Sequence, residues 1–217
     1  MQRALILVVS LIVALTFLCP EIALAQSPSG PLVSCLETRE EGCIAATKGI
    51  ARRKGEKLTL TFADGRKRTF KSNQKACDKD DAERCEDYGL VGFVPDTKTY
   101  IVRTTGYEGS EFLFLSYEST GQLKIGAAPI FSPDQIRFAV VDCDYGAMVC
   151  PIGVWRLDKF PPAKEFYETP PGDRSWRIVR WTDEKQVEVE TDMQTEQPSE
   201  KGILRLTEGK WIFSKKR

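Results

Sequence analysis

The fold is decided by residues 128–141, which read APIFSPDQIRFAVV. One short apolar segment ends at Phe131, and a second apolar segment follows Arg137. Between them, a serine, a proline and an aspartate at 132–134 favour a turn, because proline presets φ and the two polar side chains bond nearby backbone groups. The stretch therefore predicts two short antiparallel strands joined by a tight turn.

The same pattern occurs three times in the chain. Residues 88–103 contain it around Asp96 and residues 175–190 around Asp183, so with Asp134 the turn aspartates lie 38 and 49 residues apart. Each copy aligns as four short strands, in units covering 88–128, 129–169 and 170–213. A four-stranded repeat of about 40 to 45 residues is typical of β-propeller blades. Because no segment shows a sustained helical period, we expect an all-β fold of antiparallel four-stranded units, propeller-like and small or incomplete.

A hairpin is predicted before the first unit, at residues 58–71. Leu58, Leu60 and Phe62 alternate with polar residues, and Asp64 and Gly65 supply the turn. Three units are fewer than the four to eight blades of closed propellers. Either this hairpin contributes a partial fourth unit, or the arrangement of sheets stays open. The predicted division is a signal peptide at 1–25, an N-terminal segment with the first disulfide at 26–57 and a propeller-like domain at 58–217.

The N-terminus has the pattern of a secretory signal. Arg3 precedes an apolar run that ends at Leu18, and a small-residue cleavage site follows at Ala25. The run is shorter than the about 20 apolar residues of a membrane span, so no stable membrane insertion is expected after cleavage. The predicted location is periplasmic or secreted. Nucleic acid is not an expected partner, because the 31 basic residues are balanced by 31 acidic ones.

The second unit carries a resemblance to a known family. The residues concerned are Pro129, Phe131, Ser132, Pro133, Asp134, Phe138, Ile152, Val154 and Trp155. In them the unit resembles the β-propeller repeats of the WD-repeat group and of Tol-type periplasmic propellers, and it is similar to uncharacterised exported bacterial proteins with the same turn. The resemblance covers about residues 88–213 and implies a propeller-like fold. Two residues depart from it: Gln135 stands where these turns usually have glycine, and Arg156 follows Trp155 in place of aspartate.

Six cysteines remain after the predicted cleavage. An even number in an exported chain indicates disulfides, and although six cysteines allow 15 connectivities, close spacing favours three local pairs. The expected pairs are Cys35 with Cys43, Cys77 with Cys85 and Cys143 with Cys150. Metal ligation and redox chemistry are not indicated, because no pair has a two-residue gap and the chain has no histidine.

No catalytic motif stands out in the sequence. Without histidine, the usual serine, cysteine and zinc arrangements lack their base or ligand. Hydrolysis by paired carboxylates stays open as an alternative, through Asp142, Asp144 or Asp158. No cofactor and no metal site are expected; the acidic residues after Cys77 lack the glycine and glutamate spacing of a calcium loop.

The loops after the second strand of the first two units are the candidate binding surface. Tyr107 and Glu108 lie in the first loop and Tyr145 in the second, and the repeat places both loops on one face of adjacent units. Exposed aromatic residues are common anchors of protein interfaces. We therefore expect a non-enzymatic module that binds a protein partner in the cell envelope. An inhibitor of an envelope-targeting hydrolase is the alternative, and open sheet edges also leave self-association possible.

The charge distribution is uneven along the chain. Residues 48–75 contain ten basic residues but only two acidic ones, Glu56 and Asp64, and an acidic loop follows. The basic segment is either a solvated strand face or a patch for an anionic envelope polymer or acidic partner.

Overall fold

A computed structural model of the chain describes residues 33–35, 39–143, 150–169, 174–193 and 200–216. These residues form four antiparallel sheets that follow one another along the chain. The predicted all-β fold of antiparallel four-stranded units is confirmed. The predicted signal peptide lies outside the described residues and stays a prediction.

The first sheet has three strands. The described chain starts with β1 (Val33–Ser34) and the short helix α1 (Glu40–Ala46), and the sheet follows as β2 (Ala51–Lys54), β3 (Lys57–Thr61) and β4 (Lys67–Lys71). The predicted hairpin at 58–71 is the pair β3–β4. Strand β2 was not predicted; it lies before residue 58 and pairs with β3. A four-residue helix, α2 (Gln74–Cys77), comes next.

Three larger sheets correspond to the three predicted units. The second sheet contains β5 (Asp87–Val94), β6 (Thr99–Gly106), β7 (Gly109–Ser116) and β8 (Gln122–Ile125), with β1 added beside β5. The third contains β9 (Ile130–Phe131), β10 (Arg137–Val141), β11 (Ile152–Arg156) and β12 (Ala163–Glu168). The fourth contains β13 (Arg174–Asp183), β14 (Gln186–Met193), β15 (Lys201–Thr207) and β16 (Lys210–Lys215). In all three, chain neighbours are also neighbours in the sheet.

Side chains hold the turn between β9 and β10. The buried Ser132 hydroxyl donates a hydrogen bond to the Asp134 carboxylate at 2.6 Å and accepts one from the Arg137 N–H at 3.0 Å. Asp134 also accepts the N–H of Ile136 at 3.1 Å. Gln135 has a φ of 60°, in the left-handed region that favours glycine. The turn therefore keeps a glycine-like backbone although glutamine stands there.

The sheets pack in series through three apolar clusters, each shared by two successive sheets. The first cluster joins the first and second sheets through Leu58, Leu60, Phe70, Tyr100, Val102 and Leu113. The second joins the second and third sheets through Ile101, Phe112, Phe114, Phe138, Trp155 and Leu157. The third joins the third and fourth sheets through Ala139, Val154, Val187, Val189, Leu204 and Trp211. None of these clusters joins the first sheet to the fourth, and the sheets do not close into a barrel.

Polar contacts also cross from sheet to sheet. Within the third sheet, the Arg137 guanidinium on β10 meets the Glu165 carboxylate on β12 at 2.8 Å, and this carboxylate faces the fourth sheet. The same carboxylate accepts the indole N–H of Trp211 on β16 at 3.1 Å. Between the first and second sheets, the buried Tyr100 hydroxyl donates to the Thr61 carbonyl at 2.7 Å, and burial together with the nearby Tyr117 raises the pKa of Tyr100.

All three predicted disulfides are present. Cys35 bonds to Cys43, Cys77 to Cys85 and Cys143 to Cys150. Disulfides of this kind persist in oxidising compartments, which agrees with the predicted export. Neither helix among the described residues has the length and hydrophobicity of a membrane span.

Candidate partner-binding face

The β6–β7 turn carries the predicted anchor residues. Residues 106–109 form a tight turn in which Gly109 has a φ of 146°. Tyr107, at its tip, is 63% exposed, the highest value among the large apolar side chains that the structure describes. Glu108 beside it is also exposed. A large aromatic ring is therefore held in water on a short turn between two long strands.

The corresponding loop of the next sheet starts at the same end of the molecule. Gly126 follows β8, whose Ile125 pairs with Phe112 near the start of β7. The Gly126 N–H donates to the carboxylate of Asp142, directly before Cys143, at 3.1 Å. The residues that lead into the second loop therefore lie at the same end of the molecule as the β6–β7 turn. Tyr145 itself lies outside the described residues, so its position stays a prediction.

A disulfide-closed loop lies beside the same turn. Residues 77–85 run from α2 to Cys85, whose carbonyl lies against Gly106. The loop is acidic, with Asp78, Asp80, Asp81 and Glu83. We call this end of the molecule the loop face and define it by residues 77–85, the turn 106–109, and the Gly126–Asp142 contact.

A groove with a volume of about 630 Å³ opens next to the loop face. One wall is β4, from Arg68 to Lys71. Residues 104–106 also line the groove, which therefore extends to the base of the Tyr107 turn. The floor is part of the second sheet, with Thr104, Glu111, Leu113 and Lys124. We call it the β4 groove. It exists because the first sheet crosses the second with three strands and leaves this part of the floor uncovered.

The groove combines aromatic and charged groups. The Arg68 guanidinium lies 4.7 Å from the centre of the Phe70 ring, and the Phe70 and Tyr88 rings are 5.2 Å apart. Burial, together with the negative charge of Glu86, raises the pKa of Tyr88. The Glu111 carboxylate pairs with the Lys124 ammonium at 2.7 Å. Arg68 and Lys71 form no ion pair within the described part of the chain, which leaves the β4 wall positive.

The backbone of β4 also faces the groove. The Phe62 N–H bonds to the Arg66 carbonyl and the Ser72 N–H to the Glu56 carbonyl, which fixes the alternation of the β3–β4 ladder. By that alternation Arg68 and Phe70 bond to β3, whereas the N–H and C=O groups of Lys67, Thr69 and Lys71 point to the open side. No described strand pairs with that side.

Helix α1 fixes the first sheet on the second. The Glu40 carboxylate accepts two hydrogen bonds from the Arg53 guanidinium, at 2.8 and 2.6 Å, and one from the Leu90 N–H at 2.7 Å. The same guanidinium donates to the Tyr88 carbonyl. These bonds hold the first sheet, which includes β4, against the second sheet. Sequence reasoning missed them, because the residues they join are far apart in the chain and α1 has only seven residues.

Two of the three carboxylates considered for hydrolysis, Asp142 and Asp158, do not form a pair. Asp142 follows β10 and Asp158 follows β11, and these strands are antiparallel, with Val141 opposite Ile152. Asp142 lies opposite Pro151, seven positions along the chain from Asp158, so the two residues lie at opposite ends of the strand pair, about 23 Å apart at 3.3 Å per residue. Paired glycosidase carboxylates are about 5 to 9.5 Å apart. Asp158 instead pairs with Arg156 at 2.6 Å, and Asp144 lies outside the described residues.

The described residues contain no cluster of three or more histidine, cysteine or acidic side chains that could hold a metal ion. Comparison with known proteins gives no match to a family model, to a curated protein or to a solved structure. The resemblance to WD-repeat and Tol-type propellers therefore rests on the sequence pattern and the four-stranded sheets alone. The loop face and the β4 groove are the two surfaces whose chemistry suggests a function.

Proposed function

We propose that this protein is a non-enzymatic, periplasmic or secreted binding module that holds a protein partner of the cell envelope on its loop face. The observation that carries the proposal is the exposure of Tyr107 on a short turn at the end of the β4 groove. Tyrosine contributes a large contact area at little conformational cost and is enriched at interface hot spots. The rigid sheets and the neighbouring disulfide hold this surface ready for binding, which reduces the entropy lost on association.

An inhibitor of an envelope-targeting hydrolase is the second candidate. It is favoured by the closed, acidic loop 77–85 at the edge of the loop face. A short disulfide loop can enter the cleft of an enzyme without losing much conformational freedom. In this form of the proposal the partner is an enzyme, and binding lowers its activity.

Site-specific crosslinking in the native cells tests the loop face. A photocrosslinking amino acid at position 107 should give a defined partner adduct, whereas the same group at Ile212, 52% exposed on the fourth sheet, should give none. The variant Tyr107→Ala should lower partner affinity by at least about tenfold, as expected for a central aromatic anchor. Equal adducts at both positions, or unchanged affinity of Tyr107→Ala, would contradict the proposal. If the partner is an enzyme, measuring its activity with and without this protein then distinguishes a binding module from an inhibitor.

A further inference from the structure

The first sheet has fewer strands than each of the others. It has three strands, whereas the second has five and the third and fourth have four each, among the described residues. Its edge strand β4 faces a groove instead of solvent alone. An additional strand beside β4 would lie over Thr104 and Leu113 and would complete a four-stranded unit.

The main-chain groups of β4 are suited to receive a strand. The three residues with outward N–H and C=O groups, Lys67, Thr69 and Lys71, offer alternating donors and acceptors over five residues. A strand of this length spans about 17 Å at 3.3 Å per residue. Addition of an extended peptide to an exposed sheet edge is a recurring mode of recognition, in which main-chain hydrogen bonds give affinity and alternate side chains give specificity.

The charges select the kind of peptide. Lys67 and Lys71 are exposed, and neither has an ion-pair partner among the described residues. Acidic residues directly opposite them would form favourable cross-strand pairs. Two copies of β4 paired antiparallel about Thr69 would instead place Lys67 opposite Lys71, and like charges at opposite positions are destabilising. These lysines therefore disfavour self-pairing and favour an acidic strand.

We propose that the β4 groove binds an extended segment of a protein partner as the fourth strand of the first sheet, with acidic side chains opposite Lys67 and Lys71 and apolar side chains between them. The apolar side chains point into the groove, whose lining includes Leu113 on the floor and Phe70 on the β4 wall. The inference rests on the proposed function and specifies that the partner has an extended segment in which acidic and apolar side chains alternate. It assigns the basic segment a role in recognition instead of solvation alone.

A labelled peptide, fluorescein-EVEVEVE-amide, is a direct probe. Fluorescence anisotropy with the full mature protein should show binding, whereas KVKVKVK should not bind. In the proposed register the glutamate N–H groups point to β4 and the valine N–H groups point away. N-methylation of the two inner glutamates should therefore weaken binding by at least about tenfold, while N-methylation of two valines should have little effect.

Protein variants supply the matched control. Lys67→Glu with Lys71→Glu should lower affinity for EVEVEVE by at least about tenfold, and Lys201→Glu with Lys210→Glu, which makes the same charge change on the fourth sheet, should leave it unchanged. Circular dichroism of each variant checks that the sheets have formed. An equal loss in both double variants would contradict a site at β4.

Two further outcomes overturn the inference. If both N-methylated peptides bind alike and dextran sulfate binds the same lysines, the surface is a polyanion patch and the strand proposal is wrong. If EVEVEVE does not bind the folded protein at all, the proposal is also wrong, but partner crosslinks at position 107 would still support the loop face. Conversely, peptide binding with the predicted N-methyl pattern but no crosslink at 107 would uphold the strand site and reject the loop face.

Discussion

Replacing Phe138 with alanine should lower the free energy of unfolding by about 3 to 5 kcal/mol, the usual cost of removing a buried phenylalanine. Phe138 is fully buried between Phe114, at a ring distance of 4.8 Å, and Trp155, at 5.5 Å. Both neighbouring rings lie nearly parallel to it, at 15° and 5°. Its removal leaves a cavity between the second and third sheets, where rigid strands on both sides limit relaxation.

Urea unfolding followed by tryptophan fluorescence and circular dichroism measures this loss. The matched control is Ile212→Ala, which truncates an exposed aliphatic side chain and should change stability by no more than about 0.5 kcal/mol. A loss below about 1 kcal/mol for Phe138→Ala would contradict the packing of the two sheets on this ring.

Arg137→Met should cost about 3 kcal/mol, because it leaves the Glu165 carboxylate without its cation in a mostly buried position. The Trp211 indole N–H would remain as a hydrogen-bond donor to that carboxylate. The double variant Arg137→Met with Glu165→Leu should recover part of the loss, because it removes both charges together. The two single variants and the double variant form a cycle that isolates the pair.

An exposed ion pair provides the comparison for this cycle. Lys98 and Glu118 meet at 2.6 Å, but their side chains are 50% and 62% exposed. Lys98→Met should therefore cost much less than Arg137→Met. If Arg137→Met costs no more than Lys98→Met, the Arg137–Glu165 pair contributes no more to stability than an exposed ion pair does.

The features that the sequence predicted are local ones. The turn at 132–134, the hairpin at 58–71 and the three disulfides each involve residues within about a dozen positions, where proline, aspartate, glycine and cysteine have strong local preferences. The four-stranded units follow from these turns, since antiparallel neighbours in the chain also pair in the sheet. The left-handed backbone of Gln135 was the one feature of the turn that its residue type did not indicate.

The features that the sequence could not predict depend on long-range placement. The bonds of Glu40 to Arg53 and Leu90, and the contact of Glu165 with Arg137 and Trp211, join residues from separate strands or sheets. The β4 groove depends on how the first sheet crosses the second, which no residue pattern specifies. The basic run at 48–75 did mark one wall of the groove, but not its floor.

Amide hydrogen exchange across β4 tests the open edge most directly. In the free protein, the amides of Arg68 and Phe70, which bond to β3, should exchange slowly, and those of Lys67, Thr69 and Lys71 should exchange fast. Saturation with EVEVEVE should slow the three fast amides and leave the other two unchanged. Slow exchange at all five positions in the free protein would show that the edge is already paired and would contradict the binding site proposed at β4.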